Sequence, residues 1–341
     1  MNMLLKTVSI IGALALGIVS APRSAPAQQP VKVPRIGFLS SGVVGPNIEA
    51  FRQGLQDLNY FVGQNVAVEY RWAAGRDDRL PDLAAELVRL KVDIIVSTSS
   101  SAARAAQQAT KTIPIVMAVS GDPVGTGLVA SLARPGGNIT GLTILSPELS
   151  GKRLELLKEA FPKVARVAVL WNPASPDKQL DFKETQAAGR ALGVQLQSLE
   201  VRGAKDFDKV FQAATKERTQ ALITLADPLT GSQGRRIMDF AVKSRLPAIY
   251  GDSAFVEAGG LMAYGPNISD LYRRAAFFVD KILKGVKPVD LPVQQPIRFE
   301  LVINLDTAKK IGLTVPPQLL MRADKVIKMT ESREQEPEIS Y

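Results

Sequence analysis

The stretch that decides how this chain is read is IPIVMAVSGDPVGTGLVASLARPGGNITGLTIL, residues 113–145. Residues 115–119 form an apolar run of strand length. Gly121, Asp122 and Pro123 then read as a loop, the residues after Gly125 as a short helix, and 138–145 as a second strand. That second strand is expected to carry the chain from one half of the molecule into the other. A ligand, if one is bound, should find one lip of its cleft here.

Working outward, strand and helix signals alternate almost without interruption. Before the stretch, 35–40 and 66–72 read as strands, the second from the alternation of Val66, Val68, Tyr70 and Trp72. The run 92–96 is wholly apolar, which suits a strand covered on both faces. Between them, Ile48, Phe51, Leu55 and Leu58 share one helical face, with Asn47 as the expected cap. Leu80, Leu83, Ala84, Leu87 and Val88 make the next helical stripe.

After Leu145 the same grammar restarts. Leu154, Leu157 and Phe161 mark a helix stopped by Pro162. Then come strand 167–170, helix 177–192 ended by Gly193, strand 195–201 and helix 206–216. Strand 221–225, helix 235–243 and strands 248–250 and 260–264 follow, with a long helix over 267–283. Phe299, Leu301, Ile303 and Leu305 alternate with polar residues as a last long strand, and Pro316-Pro317 opens a small helix. Two halves with one βαβ grammar imply two doubly wound α/β lobes.

Composition narrows the function. The chain has 341 residues, enough for about two domains, and contains neither cysteine nor histidine. Disulfides, thiolate chemistry, histidine bases and Cys/His zinc sites are therefore excluded. No spacing suggests an oxygen-ligand metal site, and no cofactor is expected. Residues 1–27 read as a secretory signal: Lys6, an apolar run over 8–19, then Ala25-Pro26-Ala27 as the cleavage site. No later segment is long and apolar enough to span a bilayer, so an exported, periplasmic and soluble protein is expected. The net charge of +9 falls to about +7 when Lys6 and Arg23 leave. The remaining Lys and Arg residues are dispersed and lack interleaved aromatics, which argues against nucleic acid.

Several local patterns could carry chemistry. Ser97-Thr98-Ser99-Ser100-Ser101 stands where strand 92–96 ends and a helix begins, a junction rich in donors for an anion; one of the five would suffice for capping. Ser40 and Ser41 end the first strand in the same way. Gly125-Thr126-Gly127-Leu128-Val129-Ala130 matches G-x-G-x-x-A, with Glu148 beyond it. The motif follows the fourth strand, however, and its helix is cut short by Arg134-Pro135-Gly136-Gly137, so a dinucleotide is not the reading. Ser175-Pro176-Asp177-Lys178 matches S-x-x-K but reads as a helix cap with proline at its first position. Asp122, Asp227 and Asp252 each follow a strand, placed either to hold a ligand amine or hydroxyl or to close a plain turn. Asn172 can hydrogen-bond a ligand, and Trp171 or Tyr250 can stack on one or serve as core.

Taken together these blocks resemble a known family. GDPVGTGLVASLARPGGNITGLT, VGQNVAVEYRWAAGRDDRLPDLAAELV, LPAIYGDSAFVEAGGLMAYG and LPVQQPIRFELVINLDTAKKIGLTVPPQLLMRADKVI are similar to blocks of the ABC-transporter substrate-binding family that includes tryptophan- and tyrosine-type binding proteins. The resemblance implies a type I periplasmic-binding-protein fold: two Rossmann-like lobes joined by three crossing segments, here 138–145, 261–266 and 297–303. It implies lobes of 31–142 plus 265–297 and of 143–264 plus 298–330, with 331–341 as a disordered tail. By position, the ligand residues would be Ser40, Ser41, Ser99, Ser100, Asp122, Asn172, Asp227 and Asp252. The implied partners are a small organic solute, an aromatic or other carboxylate or amino acid, and an ABC permease in the inner membrane, with the protein itself a monomer and not an enzyme. A receptor serving a chemoreceptor or sensor kinase is the alternative, and an exported enzyme a weaker one. The chain departs from amino-acid-binding members at Asp227-Pro228 and near Gly251, both in loops that would set specificity.

Overall fold

The structure is a computed structural model that describes residues 33–328. The signal segment and the charged tail lie outside the described residues. The first lobe is built from β1 (Arg35–Ser40), α1 (Asn47–Asp57), β2 (Ala67–Trp72), α2 (Leu80–Arg89), β3 (Ile94–Ser97), α3 (Ser100–Ala109), β4 (Ile115–Met117) and β5 (Ile139–Gly141). Its five strands are all parallel, in the order β2-β1-β3-β4-β5. Alternation along the strands divides the core. Leu39, Ile95 and Ile115 face α2 and α3, whereas Ile36, Phe38, Ile94 and Val116 face the other side with Phe51 and Leu55 of α1.

The second lobe contains α4 (Ser146–Ala160), β6 (Arg166–Trp171), α5 (Pro176–Ala191), β7 (Gln195–Glu200), α6 (Phe207–Lys216), β8 (Ala221–Thr224), α7 (Pro228–Ser232), α8 (Gly234–Lys243), β9 (Ala248–Tyr250), α9 (Ser253–Glu257) and β10 (Met262–Pro266). The chain then returns to the first lobe as α10 (Ile268–Leu283), whose Leu271, Ala275 and Phe278 pack in the core that holds α1. It ends with β11 (Phe299–Asn304), α11 (Leu305–Lys310), α12 (Pro317–Met321) and β12 (Lys325–Ile327). The seven strands run β12-β11-β10-β9-β8-β6-β7, parallel throughout except for the β10–β11 pair. Val167 and Val169 face α4, while Ala168 and Leu170 face α6 and α8.

Two features of the opening stretch, and two outside it, differ from the sequence reading. No helix follows Gly125. Thr126 and Leu128 close single turns onto Asp122 and Pro123, and Gly127 at φ +70° and Gly136 at φ +83° break any continuation. The strand expected over 138–145 pairs only from Ile139 to Gly141. It then leaves the sheet, bridged at Leu142 to Gln294 of the returning chain. Asn47 does not cap α1: it is the first helical residue, and its side chain accepts from Ser269 Oγ of α10 at 2.7 Å. The alternation through Leu305 also stops early, because Asn304 turns into the N-cap of α11.

Candidate ligand-binding cleft

Parallel strands deliver their following loops to one edge of the sheet, and in both lobes those edges meet around a cavity of about 240 Å³. On the first lobe its wall is Ser40 at the end of β1, Thr98–Ser101 after β3, and Ser120 with Gly121 after β4. Hydroxyls satisfy one another along this wall. Thr98 Oγ1 donates to Ser40 Oγ at 3.0 Å, Ser41 and Ser99 share a bond of 2.6 Å, and Ser100 and Ser120 one of 2.8 Å. Ser99 is the N-cap of α3, its Oγ accepting from Ala102 N–H at 3.1 Å. Ile144, Ile268 and Tyr272 add apolar surface, and burial pushes the Tyr272 hydroxyl up to about 12.

The second wall is acidic. Asp227 caps α7 by accepting from Leu229 N–H at 2.8 Å and also receives Asn172 Nδ2 at 3.3 Å. Burial pushes its carboxyl up to about 6, against the opposing pull of the Leu229 N–H and the Lys178 charge. Asp252 caps α9 through Ala254 N–H at 2.9 Å, and burial raises its carboxyl too. Asp177, in the first turn of α5, reaches across to the first lobe: Oδ2 accepts from Gly121 N–H at 3.3 Å and Oδ1 from Asp122 N–H at 3.4 Å. Its carboxyl is likewise raised by burial, with Lys178 opposing.

Two cations underlie this wall. Lys178 Nζ donates to Asp181 Oδ2 at 2.5 Å and to Ser146 Oγ at 3.1 Å, with both charged side chains almost wholly buried. Arg153 of α4 is among the largest fully buried side chains. Its Nε donates to the Tyr264 carbonyl at 2.7 Å, and its guanidinium lies so close behind Gly251 that a Cβ there would meet Nη2 at 3.1 Å. Burial lowers the guanidinium to about 10, although Asp181 and Asp252 favour its charge. Among the described residues no group of three Asp or Glu side chains is placed to hold a metal ion.

Of the residues singled out from sequence, Ser40, Ser99, Ser100, Asp227 and Asp252 line the cavity. Ser41, Asn172 and Asp122 stand behind it: Ser41 on Ser99, Asn172 on Asp227, and Asp122 folded back on the N–H groups of Val124 and Gly125 at 3.1 and 2.8 Å. Trp171 is core, stacked on Phe182 at 4.5 Å, and Tyr250 is stacked on Phe255 at 4.7 Å; of these four rings only Phe255 reaches the cavity. Ser175 holds the N-cap position of α5, yet its side chain makes no capping bond and lines the cavity. Asp177, Lys178, Phe255 and Tyr272 line it as well, and sequence reading missed all four. Asp177 carried no signal of its own: it shares a four-residue period with Asp181 and Thr185 on α5, which reads as a solvent-facing polar stripe until the structure shows all three buried.

Two α/β lobes with three chain crossings and a cavity between the carboxyl ends of their strands form the architecture of the type I periplasmic binding proteins. Residues 36–327 match the family model described as ABC transporter substrate binding protein, and the chain belongs to that family. It is 28% identical over 282 residues to a tyrosine-binding protein of Clostridioides difficile strain R20291, covering 81% of this chain and 80% of that one. Among solved structures, a conserved domain protein from Vibrio cholerae is 30% identical with a TM-score of 0.81, over 87% of this chain and 100% of that one. An ABC domain from Streptococcus pneumoniae, solved in complex with L-Trp, is 26% identical with a TM-score of 0.77, over 86% and 100%. Among the described residues no helix is long and apolar enough to cross a membrane.

Proposed function

We propose that this protein is the solute-capturing component of an ABC importer, exported to the periplasm, which closes on one small organic solute and presents it to an inner-membrane permease. The observation that carries this reading is the cavity itself, set between loops of both lobes and bridged by Asp177. Its size fits the role. A cavity of roughly 150 Å³ admits a benzene ring. The 240 Å³ found here leaves room beside such a ring for the polar head of an amino acid. The tyrosine- and tryptophan-binding relatives support an aromatic or other amino acid. The lobes would be 31–142 plus 265–297 and 143–264 plus 298–330, moving as rigid bodies about the crossings. The protein would act as a monomer and not as an enzyme.

Mass spectrometry of solute carried through native purification tests this directly. One stoichiometric small molecule supports capture, and a solute converted on standing with the protein would point to an enzyme instead. Export has its own test: the N-terminus of the mature protein should begin at Gln28. Reconstitution with the permease separates import from signalling, since a sensory receptor would leave uptake unchanged.

A further inference from the structure

We propose that the acidic segment 331–341 of this chain docks in a groove on the second lobe, beside the cleft and separate from it. The groove is a cavity of about 530 Å³ that follows α8 from Gly234 to Lys243, with α9 and α11 contributing its other wall. Met238 is buried in its floor, and Val242 and Phe255 are half-buried there. Arg235, Lys243 and Lys310 stand exposed on the rim, against the one carboxylate of Asp239. Two neighbouring cations are already committed, Arg236 to Asp208 at 2.6 Å and Lys325 to Glu257 at 2.7 Å. The three on the rim are in no ion pair among the described residues. An apolar floor under a net positive rim fits an anionic chain that also carries apolar side chains.

The course of the chain supplies that occupant. β12 runs parallel to β11 with Ile327 opposite Asn304, and Asn304 caps α11 by accepting from Thr307 N–H at 3.0 Å. Thr307 lines the groove, and its Oγ1 donates to the carbonyl of Gly259, another lining residue, at 2.9 Å. Ile327 packs against the core cluster that holds Met238, and Phe255 packs against the same cluster. The chain therefore leaves β12 beside the α11 end of the groove. Thirteen residues follow Lys328, a reach of up to about 43 Å when extended, whereas ten-residue α8 is only about 15 Å long. Their charge is complementary, with Glu331, Glu334, Glu336 and Glu338 against Arg333 alone. Ile339 and Tyr341 bring apolar surface for the floor. Such a segment needs no structure of its own before it binds. Docked there it backs Phe255, the ring shared by the groove and the cleft.

The test is timed digestion of the full mature protein with a Glu-specific protease, following cuts after Glu334 and Glu338 by intact mass. A free peptide of residues 329–341, digested in parallel, gives the unprotected rate. At about 20 mM salt the tail of the protein should be cut at least tenfold more slowly than the peptide. In about 0.5 M salt, or in the double variant Lys243→Glu with Lys310→Glu, its rate should rise to within about twofold of the peptide's. The salt comparison needs no substitution, so it decides the matter even if the variant fails to fold. A tail cut as fast as the peptide at low salt would overturn the proposal. Protection that survives both high salt and charge reversal would overturn it too, by placing the tail elsewhere. So would a fully cleavable tail beside a groove that binds anilinonaphthalene sulfonate and loses it on charge reversal, since the groove would then serve an outside anion.

Discussion

Burial makes the charge of Asp227 costly in the cleft. Its folded carboxyl titrates near 6, against 3.8 for the ordinary group. Between those two values the folded protein holds a proton that the unfolded chain has released. Stability therefore falls as pH rises from about 4 to about 6 and is level above that, by up to roughly 3 kcal/mol. Asp227→Asn should remove this dependence. Its melting temperature should exceed that of the parent at pH 7.5, and the gap should shrink toward pH 4; a gap independent of pH would contradict the assignment. Ser99 carries the opposite burden. Its hydroxyl caps α3 and bonds Ser41, so Ser99→Ala should cost the ligand-free protein about 1 kcal/mol in urea unfolding. No loss would free that hydroxyl for ligand contact alone. At this scale the sequence was readable where a residue acts on its own loop, as with the serine at the head of α3. It was unreadable for Asp177, because a first-turn acid is ordinary on any helix and only the opposite lobe makes this one a bridge.

Among the elements, the alternation of strands and helices was legible because the strands are apolar on the faces they bury and most helices keep an apolar stripe, α5 with its buried polar face excepted. Failures came where backbone geometry overrode pattern. Residues 121–137 contain enough Gly and Pro to turn repeatedly but not to propagate a helix, so the dinucleotide-like motif has no helix to serve it. The closing strand β12 was missed because its Lys325 and Val326 are exposed and it is only three residues long. The strand expected over 138–145 ends at Gly141, and the reason is steric. Gly141 has φ +129°, and a Cβ there would lie 2.2 Å from the Met117 carbonyl oxygen of β4. Gly141→Ala should therefore destabilise the protein by about 2–4 kcal/mol, from overpacking plus a disallowed backbone. A urea midpoint equal to that of the parent would show that the strand exit is soft. Just beyond it, Leu145 sits at φ +50°, a left-handed conformation that leucine tolerates poorly, at the point where the first crossing enters α4.

At the scale of the whole molecule, the returning chain ties the crossings together. Thr140 Oγ1 donates to the Leu291 carbonyl at 2.6 Å, Gln294 N–H to the Gly141 carbonyl at 2.9 Å, and Thr143 N–H to the Gln294 carbonyl at 2.9 Å. The first crossing and the return are therefore tied into one strap. Between the lobes, by contrast, few polar contacts among the described residues span the cleft, and the Asp177 bonds to Gly121 and Asp122 are long. On the proposed reading, the solute supplies the contacts that hold the lobes together. The two-lobed plan was legible from the repeated grammar of the two halves. What the cleft would recognise was not, since it depends on which loops face each other once the lobes have met.

The most direct test of closure uses the absence of cysteine from the chain. Arg79→Cys on the first lobe and Arg235→Cys on the second create the only two thiols, both at exposed positions, for a pair of spin labels. Their separation would be measured with and without the solute that copurifies. The account requires a broad, longer distribution in its absence and a single shorter distance in its presence. An identical distribution in both states would contradict capture by closure.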